Sequence, residues 1–192
     1  MGQVKLVKVS KGLNILFVSG VLAMVGMLIP LLGLVVICAN ICALFFMYDS
    51  HKNYMFALFA MLLRTVATVY AAMNADQPIA AAAGIVIVLL SILETSLICL
   101  TTERLLQRVA VSTFPTGNHV LLVTLIARAA SEVAVHRPAV NMLAMMGAVM
   151  MLISAFMAMV FYFRSSRTLA LMAQEATKEP ESTQAPEPYE DE

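Results

Sequence analysis

Residues 120–135 read VLLVTLIARAASEVAV. Whether this stretch crosses a bilayer or lies along its surface decides the fold. It is shorter than the roughly 20 apolar residues that a spanning helix needs. It also carries Arg128 and Glu132, and a charge at mid-membrane costs about 2.5–3.5 kcal/mol or more unless it is paired or wetted. The two charges stand at i, i+4 on one helix face, which Thr124 and His136 extend. Arg before Glu is the weaker order for such a pair in water. In lipid the pairing matters more, because the alternative is a bare charge.

Outward from this stretch, the chain divides into apolar runs separated by breakers. On the C-terminal side, His136-Arg137-Pro138 forms a break and Ala139–Phe163 is a long apolar run with the length of a span. On the N-terminal side lies the Ser112–Asn118 loop with Pro115 and Gly117. Before it, Glu103, Arg104, Gln107 and Arg108 close the run Ile79–Leu100. The turn Asn74-Ala75-Asp76-Gln77-Pro78 separates that run from Tyr54–Met73. The first run, Leu13–Tyr48, is about twice the length of one span at 1.5 Å rise per residue. The cluster Pro30-Leu31-Leu32-Gly33 breaks it, since proline removes a backbone donor and disfavours helix in the preceding residue. This gives a hairpin of Leu13–Ile29 and Leu34–Met47.

The composition agrees with membrane spans. The chain is 61% hydrophobic and 12% charged, with no Trp, well above the apolar share of a soluble domain. Lys5, Lys8 and Lys11 precede an apolar run far longer than the roughly 7–15 residues of a signal-peptide core, so an uncleaved anchor is expected. Counted over loops, Lys and Arg accumulate on the cytoplasmic side. Six spans put Lys5, Lys8, Lys11, Lys52, Arg104, Arg108, Arg164 and Arg167 on that side and only Arg137 outside. Five spans move Arg137 inside and strand Arg164 and Arg167 outside, next to a span end. The charge rule therefore selects six. The expected fold is an all-α integral membrane bundle of three helical hairpins at residues 13–167, with five spans as the alternative. Residues 1–12 and 168–192 then lie in the cytoplasm. Thr168–Ala176 extend the last helix, and the remainder of the tail is acidic and Pro-rich. Residues 175–192 carry seven acids against Lys178, too little apolar surface to offset the entropy of ordering. Such a tail solubilises the chain or docks a partner.

Several short segments carry a resemblance: Lys11-Gly12-Leu13-Asn14-Ile15, Ile29-Pro30-Leu31-Leu32-Gly33, Lys52-Asn53-Tyr54-Met55-Phe56-Ala57, Thr101-Thr102-Glu103-Arg104-Leu105-Leu106 and Phe161-Tyr162-Phe163-Arg164-Ser165-Ser166. Over residues 11–167 the chain resembles a loose group of small multi-pass membrane proteins of bacteria, many of them gut Gram-positives. The resemblance implies six spans in a bacterial cell membrane and implies no activity.

Four charges are the candidate site: Arg64, Glu94, Arg128 and Glu132. Arg64 lies about ten residues into the third span and Glu94 six residues from the end of the fourth, depths of roughly 15 and 9 Å. The short turn between these spans makes them antiparallel neighbours, so Arg64 is expected to meet Glu94. The nearby Thr65, Thr68, Ser91, Thr95 and Ser96 are positioned to satisfy leftover donors. One reading is a set of structural ion pairs that lock helix register. The other is a polar site for an ion, a proton or a small solute.

Other features carry less. Cys38 and Cys42 stand at i, i+4 with no third ligand nearby in sequence, so packing between helices is expected rather than metal binding. The Met-rich last span (Met142, Met145, Met146, Met150, Met151, Met157, Met159) fits gap-filling better than Cu(I) ligation. Three cysteines in apolar runs make no disulfide framework. No phosphate loop, zinc motif, nucleophile elbow or nucleic-acid module is found, and no cofactor is implied. The function expected is that of a structural or accessory membrane protein, with the bilayer and a partner or second copy as its contacts. A small transporter or channel-like protein is the alternative.

Overall fold

The computed structural model describes residues 3–26, 30–74, 79–108, 115–136 and 141–178. These form six helices: α1 (Gln3–Gly26), α2 (Pro30–Tyr48), α3 (Lys52–Met73), α4 (Ile79–Arg108), α5 (Gly117–His136) and α6 (Asn141–Lys178). Among the described residues there is no strand.

Helix ends follow from local chemistry. Pro30 opens α2, where its missing N–H is one the helix leaves unbonded anyway. The expected break at 30–33 is therefore the first turn of a helix. α1 begins ten residues before the expected span, because Leu6, Val9 and Leu13 recur at helical spacing and are all buried. The lysines between them project from the same helix. α4 runs past Thr101 to Arg108, and α6 reaches Lys178, two residues beyond the expected extension. Gly117 and Asn118 start α5 rather than closing the loop before it. The breaks at 75–78 and 137–138 and the acidic tail from 179 onward lie outside the described residues.

Each helix packs on its neighbours in chain order, and α1 closes the ring against α6. Cross-helix pairs show that neighbours run antiparallel. Lys8 meets Asp49 and Ser19 meets Asn40 across α1 and α2. Tyr54 meets Thr102 and Arg64 meets Glu94 across α3 and α4. Thr124 meets Ser154 across α5 and α6, and Ser10 meets Ser166 across α1 and α6. The N-termini of α1, α3 and α5 thus share one end of the bundle with the C-termini of α2, α4 and α6.

That shared end holds the core. Leu6, Val9, Leu13, Leu44, Met47, Tyr54, Met61, Leu105, Leu106 and Leu169 form a continuous buried cluster. Toward the opposite end the helices expose large apolar side chains, among them Val66 at 67% and Met73 at 80%. Exposed apolar residues occur on all six helices, far more than isolated surface hydrophobes on a water-soluble monomer. Among the described residues, four helices contain stretches long and apolar enough to cross a membrane: Val4–Val25, Lys52–Met73, Ala82–Arg108 and Met145–Glu175. Leu32–Tyr48 is a shorter apolar helix.

His51 caps α3. Its Nδ1 accepts the backbone N–H of Asn53 at 3.2 Å, satisfying one of the first-turn donors. Desolvation first, then Arg108, Lys52 and Arg104, hold its pKa below the ordinary 6.5. Protonation turns Nδ1 into a donor and removes the cap. The folded pKa lies below the unfolded one, so this contribution is present above pH 6.5 and is lost as pH falls through the folded value. Replacing His51 with Asn keeps a capping acceptor that does not titrate. We expect His51→Asn to match wild-type melting at pH 7.5 and to exceed it at pH 5. Equal loss of melting temperature in both proteins on acidification would remove His51 as the cause.

Candidate functional site

The site is a layer of polar contacts about ten residues in from the core end, roughly 15 Å along the helices. Arg64 on α3 and Glu94 on α4 form an ion pair, Nε to Oε2 at 3.0 Å. Their side chains are 29% and 13% exposed. The Arg64 Nε–H is not aligned on that oxygen as a hydrogen bond, so the contact is one of opposite charges in a shielded place. Arg128 on α5 reaches α4, where its Nη2 donates to Ser91 Oγ at 2.9 Å. The Glu94 carboxylate also lies in the electrostatic field of Arg128. Ser91 and Glu94, one turn apart on α4, thus bring α3 and α5 to a single level. The expected Arg64–Glu94 contact is present, and Arg128 joins it from the next helix. Glu132 belongs to α5 by backbone, and its side chain lies outside the described residues.

Of the hydroxyls expected to serve the charges, only Ser91 does so. Thr65, Thr68, Thr95 and Ser96 each donate to the backbone carbonyl four residues earlier. That bond lies within reach on any helix and needs no partner element. Three contacts extend the polar pattern beyond the expected charges. Ser19 hydrogen-bonds the Asn40 side chain across α1 and α2. Thr124 and Ser154 share a bond of 2.7 Å across α5 and α6. Ser10 donates to the Ser166 carbonyl at 2.8 Å, and Ser166 Oγ returns a bond to the Ser10 carbonyl at 2.9 Å. Asn40 is the sole side-chain amide in the apolar run 34–47, so its need for a partner was legible.

Nearer the core end, the buried Tyr54 hydroxyl bonds Thr102 Oγ1 at 2.9 Å, and Asn53 Nδ2 donates to Thr101 Oγ1 at 3.1 Å. Tyr162 packs beside the buried Cys99 in the bundle interior. Tyr162 also ends a cavity of about 580 Å³ between α1 and α6, otherwise lined by side chains such as Leu16, Ala23, Met151, Leu152 and Ala155. An open surface groove of about 510 Å³ runs between α3 and α4, against the exposed Leu63, Val66, Tyr70, Ile79 and Val86. Neither is lined by Arg64, Glu94 or Arg128. Cys38 and Cys42 are exposed on α2 and do not pack between helices as expected. The methionines of α6 diverge: Met142, Met145 and Met146 face outward, and Met151 and Met159 line the cavity.

The fold defines an all-helical bundle with an apolar surface, of the class compatible with membrane insertion. Comparisons with family models, with characterised proteins and with solved structures found no match.

Proposed function

We propose that the chain is a six-span integral membrane protein of structural or accessory role, in which the Arg64–Glu94 and Arg128–Ser91 contacts lock the register of α3, α4 and α5. The observation that carries this reading is the ion pair itself: two charges from neighbouring helices meet at 3.0 Å at the level where a third helix is tethered by Arg128. Burying charges in lipid is costly, and opposing them fixes one sliding position of each helix against the next. Tyr162 and Tyr70 apart, the cavity and the groove are lined by apolar side chains, which offer a desolvated polar solute little. Six spans are supported by the antiparallel order of the helices, which gathers Lys5, Lys8, Lys11, Lys52, Arg104, Arg108, Arg164 and Arg167 at one end of the bundle. The positive-inside rule then places that end in the cytoplasm.

Two measurements test the reading. Single cysteines at Asn118, His136 and Thr168, in a background lacking Cys38, Cys42 and Cys99, report the topology. External labelling of position 136 alone is the expected result, and labelling of 168 from outside overturns six spans. In proteoliposomes, no protein-dependent proton or cation flux is expected. A flux that Glu94→Gln abolishes would replace the structural reading with a transport one.

A further inference from the structure

The core end of the bundle carries an excess of positive charge. Lys5, Lys11, Lys52, Arg104, Arg108 and Arg167 are exposed there. Lys8 is held by Asp49 at 2.6 Å. Three of these cations are close enough together that Lys52, Arg104 and Arg108 all act on the single ring of His51. Arg167 lies over the Phe163 ring at 4.7 Å, and Phe163 packs against Phe17 of α1 at 5.0 Å. The acids on this end among the described residues are Asp49, Glu103 and Glu175. Of these, Asp49 is engaged by Lys8 and Glu103 by the Asn118 backbone. α6 ends at Lys178 on this same end of the bundle. From there the chain continues as residues 179–192, with six acids and no base.

We infer that residues 179–192 associate with this basic end of their own chain. Charge complementarity selects the occupant, and reach permits it. Fourteen residues span at most about 46–50 Å, against a bundle about three helix diameters, roughly 30–36 Å, across. A tether of this length also holds the acids at millimolar-range effective concentration. Exposed ion pairs each return little and are screened by salt. Fixing every tail residue costs more entropy than they supply. The association is therefore of many exchanging pairs and not one fixed set, and it holds whichever way the bundle faces in a membrane.

Zero-length carbodiimide coupling of carboxylates to lysines tests it, on the full chain at one copy per nanodisc of zwitterionic lipid. The expected products join Glu181, Glu187, Glu190, Asp191 or Glu192 to Lys5, Lys11 or Lys52. Their yield should fall several-fold between 50 and 500 mM salt, and more steeply than that of the Lys8–Asp49 product, whose partners the fold holds at 2.6 Å. Arg104→Gln with Arg108→Gln should lower the Lys52 products several-fold although neither reacting group changes. Tail products confined to Lys178 overturn the inference, as do yields that neither salt nor the arginine substitutions reduce.

Discussion

Replacing Glu94 with Gln is expected to cost about 3–5 kcal/mol of stability, the range for breaking a shielded ion pair by removing one partner. It should show as a large drop in melting temperature and in monodisperse yield from detergent. The cause is the stranded Arg64 guanidinium, which is 29% exposed and loses its counter-charge at 3.0 Å. Arg64→Met should cost less, because the Glu94 carboxylate keeps Arg128 nearby. The order of the two effects follows from the three-helix geometry and not from the pair alone. A buried pair replaced by apolar residues of similar volume is often neutral or stabilising. Arg64→Met with Glu94→Leu is therefore expected to melt above Glu94→Gln, with a coupling energy of opposite sign to the sum of the single losses. Single substitutions that leave melting and yield at wild-type values would show that the pair holds nothing in register.

The Arg64–Glu94 contact was readable because both residues stand at similar distances from residues that themselves pair. Arg64 follows Tyr54 by ten positions, Glu94 precedes Thr102 by eight, and Tyr54 bonds Thr102. A short connection between two spans fixes such a register almost by counting. The Arg128–Ser91 bond was not readable in this way. Residues 109–116 between α4 and α5 leave the register open, and Glu132 offered a partner within the same helix. Packing of α5 on α4 brings Ser91 within reach of Arg128. The closure of the ring by α1 against α6 has no local signal, because it joins elements more than a hundred residues apart through Ser10 and Ser166. The early start of α1 was legible in the spacing of Leu6, Val9 and Leu13, but three interspersed lysines suggest a solvated flank. The basic residues mark one end of the bundle, and the same residues concealed that this end is where it packs best.

Gly117→Ala is the second large effect expected, and it tests how α5 is held to α4. A Cβ on Gly117 would stand 2.6 Å from the Cys99 carbonyl oxygen and 2.8 Å from Glu103 Oε2. The first of these is helix backbone and cannot swing aside. The same glycine opens α5, whose first turn receives Glu103 Oε2 on the Asn118 N–H at 3.0 Å. An acid at a helix N-terminus satisfies an otherwise unbonded donor and complements the helix dipole. One added methyl group therefore forces α5 away from α4 and breaks this cap together. Overpacking of this kind costs about 1–3 kcal/mol, and the lost charged hydrogen bond adds about 1.5–3 kcal/mol. Gly84 is the control: a Cβ there meets nothing within 4 Å, and helix propensity alone favours Ala by about 0.8–1.0 kcal/mol. The expected result is a melting temperature lowered by Gly117→Ala and held or raised by Gly84→Ala. Since Arg128 reaches Ser91 only while α5 lies against α4, Gly117→Ala should also weaken the dependence of stability on Ser91. If Ser91→Ala costs the same with and without Gly117→Ala, the first turn of α5 does not set the position of Arg128.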